Sequence, residues 1–284
     1  MLKFSCADYT FPLLERSAAL RLIKSLGFDH VDIGLFARSD HFSPTQLLQS
    51  PRQYAVEVMQ EADAAELAVS DLFLQIGVSP SESAANDPSP TVREINRDVF
   101  ARALEFCVAL GCDHLTGLPG VWHPEASREQ DWELATEEAA RRVSECSRAG
   151  VHYAIEPHMD SISAEIATAR AFLQAVPGLT VALDYGHFVA ADETSEQVHS
   201  LLPFASHIHV RGGAPGRLQT SVDENTIDFS GMLAGLHGIG YKGFLALEYV
   251  WVDWKGCNRV DNVSETLLLR RALELADSQR AAKG

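Results

Sequence analysis

Residues 180–213, TVALDYGHFVAADETSEQVHSLLPFASHIHVRGG, contain one complete structural step. A short apolar β-type run ends on Asp184, a helix-like stretch follows, and a second β-type run carries His209 near its end. The same step recurs on either side: HYAIEPH (152–158) leads up to Glu156, and FLALEYV (244–250) leads up to Glu248. Short β-rich runs alternating with longer helical patterns are the signature of repeated βα units and a parallel sheet. In a (β/α)₈ barrel the strand C-termini converge on one face, so residues far apart in sequence can meet around one ion. Three carboxylates and one imidazole (Glu156, Asp184, His209, Glu248) make a hard, mostly oxygen site. It suits one divalent ion, Mn²⁺ or Mg²⁺, with Co²⁺ or Zn²⁺ as alternatives.

Outward from this stretch, eight strands are predicted: 2–6, 30–35, 69–76, 114–118, 152–157, 180–184, 207–211 and 244–250. The intervening helices carry their own punctuation. Ser43-Pro44-Thr45-Gln46 has a capping Ser, Pro at the first helical position and Gln three residues after the cap, and Ser89-Pro90 repeats the Ser-Pro start. The helix after it places Val92, Ile95, Val99, Ala103, Phe106 and Leu110 at spacings of three and four and stops at Gly111. A second runs through Trp132, Ala135, Ala139, Val143 and Cys146 to Gly150. Val78 to Pro90 (VSPSESAANDPSP) is the loosest segment and reads as a long loop after the third strand. With no Gly/Ser or Pro-rich linker, the expectation is a single α/β domain over 1–284, a (β/α)₈ TIM barrel. The competitor, a doubly wound open sheet, lacks any GxGxxG or P-loop after a strand.

Lys plus Arg total 23 against 39 Asp plus Glu, a net charge of −16. Such a surface repels phosphate backbones, so no nucleic-acid partner is expected. The opening MLKFSCADYT has no apolar h-region, and no run reaches the roughly 18 apolar residues of a membrane span. Five cysteines (Cys6, Cys107, Cys112, Cys146, Cys257) form no CxxC pair and read as reduced, mostly buried thiols, which suggests the cytoplasm. Homo-oligomerisation is left open.

A lone carboxylate at a strand end serves more often as a helix cap or an ion-pair partner than as a ligand. Glu156 and Glu248 each follow an apolar strand, where burial without a cation would be costly. Four successive strands ending in ligand types is the stronger signal. His207 precedes His209 by two residues on one strand, faces the same side, and is expected to be a satisfied core histidine. His158 touches substrate or orients a ligand; His187 lies in a loop beside the metal; Trp122, with His123, lines the pocket or the surface. Schiff-base chemistry has no obvious nucleophile, since none of Lys3, Lys24, Lys242, Lys255 or Lys283 ends a strand.

The order EPH, DYGH, HIHV and LALE, with IDFSGML and GYKGFLALE between, resembles the sugar isomerase/epimerase family of xylose-isomerase-like barrels. Ketose 3-epimerases, hydroxypyruvate isomerase and inosose enzymes belong to that group. The likeness covers Glu156 to Glu248 well and the first half mainly in its rhythm. It implies Glu156, Asp184, His209 and Glu248 as metal ligands and His187 and Arg211 as substrate-oxygen contacts. The group's endonuclease relatives hold three ions with extra histidines from earlier strands; here those strands end in Gln75-Ile76-Gly77 and Thr116-Gly117-Leu118.

The implied chemistry is a metal-stabilised enediolate formed from a ketose, keto-sugar or cyclitol, with Glu156 and Glu248 as proton carriers. Two faces give epimerisation, one face gives isomerisation, and a neighbouring leaving group gives lyase or dehydratase chemistry. A non-catalytic carbohydrate-binding or accessory barrel is the remote alternative. RGGAPGR (211–217) reads either as phosphate-binding backbone or as an ordinary flexible loop. Phe36, Trp122, Phe188, Trp251 and Trp254 near other tips favour an unphosphorylated substrate stacked on aromatic faces.

Overall fold

Each predicted apolar run forms a strand, and the computed structural model describes them within residues 2–37 and 41–281. The barrel strands are β1 (Lys3–Ala7), β2 (His30–Phe36), β3 (Ala68–Gln75), β4 (His114–Gly117), β5 (His152–Ile155), β6 (Thr180–Asp184), β7 (Ala205–Val210) and, after a hairpin of β8 (Gly212–Ala214) and β9 (Arg217–Thr220), β10 (Phe244–Leu247). All pair in parallel with their sequence neighbours, and β1 closes on β10 with Lys3 opposite Phe244 and Cys6 opposite Leu247. The chain is a closed (β/α)₈ barrel.

Helices α1 (Arg16–Ser25), α2 (Pro51–Ala64), α3 (Pro90–Ala109), α4 (Arg128–Ala149), α5 (Ile166–Ala175), α6 (Tyr185–Ala190), α7 (Ser195–Val198), α8 (Phe229–Gly238) and α9 (Asn262–Ala281) follow the strands. Strand side chains alternate between two environments. Val31, Ile33 and Leu35 of β2 and Leu72 and Leu74 of β3 join the main apolar core under the helices. Their alternates Asp32, Asp71 and Phe73 therefore face the lumen.

The helix signals hold with two corrections. Ser43 and Gln46 make their reciprocal caps, but only for a 3₁₀ turn, Pro44–Leu48; the α-helix restarts at Pro51. Ser50, just before Pro51, takes a non-helical backbone (φ −154°, ψ 68°), since proline disfavours the α region for the residue ahead of it, and this interrupts the helix. On α3, Ile95 points outward at 53% exposure and Asn96 is buried in its stead. The Asn96 amide donates to the Ser83 and Ala84 carbonyls at 3.0 and 2.9 Å, so a polar tether turns that end of the helix. α3 and α4 stop where Gly111 and Gly150 take positive φ, 70° and 75°.

Two loops are more ordered than their composition suggests. The 78–90 segment is pinned by buried Asn86, which accepts from the Val121 amide at 2.9 Å and donates to the Val121 and Asp131 carbonyls at 2.8 and 3.2 Å. RGGAPGR is no flexible loop: Gly212–Ala214 (β8) and Arg217–Thr220 (β9) form an antiparallel hairpin. All five cysteines are free and buried. No described helix is long and apolar enough to cross a membrane.

Candidate metal centre

Parallel strands deliver their last residues to one rim. Glu156 follows β5, its amide bonded to the Gly117 carbonyl of β4 at 2.9 Å, and Glu248 follows β10, its amide bonded to the Val210 carbonyl of β7 at 3.0 Å. Asp184 ends β6 and His209 lies near the end of β7. All four side chains are buried. His209 Nδ1 lies 2.7 Å from Glu156 Oε1 and 3.4 Å from Glu248 Oε2. Asp184 does two jobs: its Oδ1 caps α6 by accepting from the Gly186 amide at 2.7 Å, and its Oδ2 accepts from Arg211 Nε at 3.0 Å. Arg211 Nη2 also bonds Asp184 Oδ2 and lies 3.2 Å from Glu248 Oε2.

Two sets of ligand-type atoms share Glu156, namely Glu156–His209–Glu248 and Glu156–Asp184–His187, and a third, Asp32–Asp71–His207–His209, shares His209; within each set the atoms lie within 4.8 Å of one another. The four residues expected as ligands span the first two sets, joined through Glu156, with Arg211 between Asp184 and Glu248. His187 Nε2 stands 3.6 Å from Asp184 Oδ2 and 3.8 Å from Glu156 Oε2.

Charge supports a cation here. Burial pushes Glu248 up to about 7, with Glu156 and Asp184 adding to the rise against Arg211 and His209. Burial opposes a charged His209, yet Glu248 and Glu156 beside it hold its pKa near about 10. His187 and His158 are held well below the usual histidine range, first by burial and then by the Arg211 guanidinium and the neighbouring His187 ring respectively. Three carboxylates thus face one guanidinium, a protonated His209 and two neutral imidazoles, and a divalent ion in place of the His209 proton balances them. Buried Glu248 Oε2 near two cationic groups makes no well-aligned hydrogen bond. The donor set fits a hard divalent cation.

The outer residues separate into rim and scaffold. His158 lies 4.3 Å from the His187 ring and stacks on Trp254 at 5.2 Å and 21°, so these rings lead from the centre toward the surface. Trp251 and Trp254 are each 40% exposed. Trp122 lies under the Arg128 guanidinium at 4.7 Å and lines a cleft of about 310 Å³ with Met159 and Asp160, whose amides donate to His187 and His158 at 3.4 and 3.3 Å. His123 is tied to buried Asp131 at 2.7 Å, and Phe188 belongs to the main core rather than a pocket wall. His207 is a satisfied core histidine, its Nε2 2.6 Å from Asp32 Oδ2.

An apolar wall stands opposite, and the sequence reading missed most of it. Tyr9, Phe73 and Ala7 cluster with Phe36, Leu118 and Val250, and Phe73 stacks on His209 at 5.6 Å. Gly34 leaves room for it, since a Cβ there would meet Tyr9 Cδ1 at 2.6 Å. The Tyr9 hydroxyl is buried without a partner among the described residues. Its pKa is raised first by burial and next by Glu248. Tyr9 lies past the end of β1, where no pattern flags it. The lumen acids Asp32 and Asp71 did have a signal: each interrupts an apolar strand, the very argument applied to Glu156.

No curated protein matches the chain by sequence. Among solved structures it is similar to an L-ribulose 3-epimerase (14% identity, TM-score 0.78, covering 100% of this chain and 97% of that one). It is similar to an AP endonuclease family 2 protein from Brucella melitensis (18%, 0.75, 95% and 99%). A third likeness is to a probable 3-DHS dehydratase of petrobactin synthesis from Bacillus anthracis (12%, 0.68, 95% and 99%). At such identities the likeness speaks for the fold alone. The family model for the xylose isomerase-like TIM barrel, however, matches residues 20–274, nearly the whole barrel. The chain belongs to the xylose isomerase-like TIM barrel family.

Proposed function

We propose that this protein is a divalent-metal-dependent isomerase or epimerase acting on a ketose, keto-sugar or cyclitol. The observation that carries the reading is the pair of buried carboxylates, Glu156 and Glu248, at 2.7 and 3.4 Å from His209 Nδ1. Glu156, Asp184, His209 and Glu248 would hold the ion, Mn²⁺ foremost. When bound, the ion supplies Lewis acidity to a carbonyl oxygen and a template for the neighbouring hydroxyl. Glu156 and Glu248 take and return the proton on the carbon beside that carbonyl. Arg211 and His187 donate hydrogen bonds to substrate oxygens, and His158 with Trp254 lines the entrance. The similar L-ribulose 3-epimerase and further ketose 3-epimerases carry sugar names that agree with this chemistry.

The substrate is unphosphorylated in this reading. Arg211 is already committed to Asp184 and Glu248, and Arg217 pairs with Glu224 at 2.8 Å, so the hairpin offers no spare cation among the described residues. Elimination is the second reading, favoured by the likeness to a probable dehydratase. A nuclease reading has the likeness to an AP endonuclease family 2 protein on its side, but the net charge of −16 opposes binding to a phosphate backbone. The test is metal content after chelator-free purification, followed by a panel of ketoses, ketose phosphates, inososes and 3-keto-sugars in D₂O. Metal-dependent deuterium uptake beside a carbonyl is expected. Chelator-insensitive turnover, or a ketose phosphate favoured tenfold over its free sugar, would overturn the respective part.

A further inference from the structure

A cleft beside the candidate centre takes no part in the proposed reaction. It encloses about 310 Å³ and is lined by Trp122, Arg128, Met159, Asp160, Ser161 and Glu165. That volume stands at the low end of small-molecule sites, roughly 300–1,000 Å³, and suits a single ring. Its walls are tied to one another. The Ile162 amide donates to the Gly120 carbonyl at 2.9 Å, which joins the loop after β5 to the loop bearing Trp122. His123 is fastened to Asp131 of α4 through its amide and its Nδ1, both at 2.7 Å, and α4 begins at Arg128. Ser161 Oγ donates to the His158 carbonyl at 2.7 Å.

The cleft shares a wall with the centre. The Met159 amide donates to His187 Nδ1 at 3.4 Å, and His187 Nε2 stands 3.8 Å from Glu156 Oε2. One imidazole ring therefore separates the carboxylates from the loop that lines the cleft, a step that the link between two sugar rings can cover. The lining chemistry selects the occupant. Arg128, Asp160 and Glu165 are exposed and make no ion pair among the described residues, unlike Arg211 and Arg217. Arg128 supplies N–H donors, the two carboxylates supply acceptors, and Trp122 supplies a flat ring 4.7 Å from the guanidinium. Sugar hydroxyls donate and accept at once, so a pyranose satisfies both kinds of group. A phosphate would meet two carboxylates, and an apolar group would strip water from three charges. We infer that the cleft is a second sugar subsite, and that the substrate is a keto-sugar still linked to a second sugar ring. This rests on the isomerase or epimerase reading and narrows its substrate class.

The test uses full-length protein with Mn²⁺ in D₂O and compares 3-keto-glucose with 3-keto-maltose, 3-keto-cellobiose and 3-keto-sucrose. At least one two-ring sugar should exchange the proton beside its carbonyl with kcat/KM about tenfold or more above that of 3-keto-glucose, because binding energy from the remote ring lowers the barrier. Arg128→Ala and Asp160→Asn, both exposed positions, should each bring that ratio close to one, the roughly tenfold loss expected of a hydrogen bond to a charged group. Equal kcat/KM for one- and two-ring sugars, or variants that keep the wild-type ratio, would overturn the inference and leave the isomerase reading in place. Binding is read separately in EDTA, as protection of tryptophan fluorescence from acrylamide by maltose, cellobiose or sucrose, and Trp122→Phe should lose that protection. Protection that persists in Trp122→Phe puts the sugar at another tryptophan and overturns the subsite. Protection at Trp122 without any proton exchange upholds the subsite and removes the isomerase reading, with the substrate class drawn from it. Neither protection nor exchange removes both.

Discussion

At the scale of single residues, the buried carboxylates decide what the site does. Glu156 and Glu248 flank His209, and neither is needed to bury apolar surface. Changing either to Gln preserves shape while removing the proposed proton carrier. Glu248→Gln and Glu156→Gln should each lower turnover by at least about 10²-fold with the circular dichroism spectrum unchanged. In an epimerase one of the two should still exchange the substrate proton with D₂O while failing to invert the carbon. Full turnover by either variant at saturating metal would refute the assignment. The four ligand types were legible at the strand ends; the direct contacts and distances among them were not, because neighbours across the lumen lie far apart in sequence. Glu156 with His209, separated by 53 positions, is one such pair.

At the scale of elements, buried polar staples hold the rim and the helical ring. Gln219 on β9 donates to the Val250 and Cys257 carbonyls at 3.0 and 2.7 Å and accepts from the Val250 amide at 2.7 Å, fastening the hairpin to the loop bearing Trp254. Gln219→Ala leaves those backbone groups unpaired, at a cost of about 1–3 kcal/mol. Its expected signature is a raised KM with earlier proteolytic cutting near Trp254; cutting kinetics identical to wild type would deny the staple a role. On the outside, Glu138 of α4 is buried among Arg97 of α3 and Arg141 and Arg142 of its own helix, at 3.0, 2.6 and 3.0 Å. Burial alone would raise its carboxyl, but the three arginines win and lower it from 4.5 to about 2. A depressed folded-state pKa stabilises above the unfolded value, so the contribution is full above 4.5 and is lost as pH falls toward about 2. Glu138→Gln should cost about 3 kcal/mol at neutral pH, since it strands the buried Arg142 charge. The gap between the two urea-unfolding midpoints should close on acidification through that window, and a gap independent of pH would contradict the ion-pair account.

At the scale of the whole molecule, the barrel gathers three carboxylates that repel one another at its closed rim. An ion that binds only the folded state stabilises it by mass action. Removing metal with EDTA should therefore lower the unfolding temperature by several degrees and abolish activity, and Mn²⁺, Mg²⁺ or Co²⁺ should restore both. An unfolding temperature indifferent to EDTA and Mn²⁺ would argue against a metal at the rim.

Taken alone, the sequence determined the strand and helix succession, the closed parallel architecture and the candidate ligands at the last four strand tips. These depend on local quantities: periodicity, Ser-Pro starts, glycine stops and the residue that follows each apolar run. Even there, Ile95 and Asn96 exchanged places, because a tether to the 83–84 carbonyls outweighed hydrophobic periodicity. Tertiary structure decided the rest. Arg211 is bound to Asp184 and Glu248, Trp122 packs under Arg128 beside Met159, RGGAPGR is a hairpin, and Tyr9 and Phe73 wall the site. Each of these depends on barrel closure and register, which set which side chains share the lumen and how close they come, and no window of neighbouring residues contains that information.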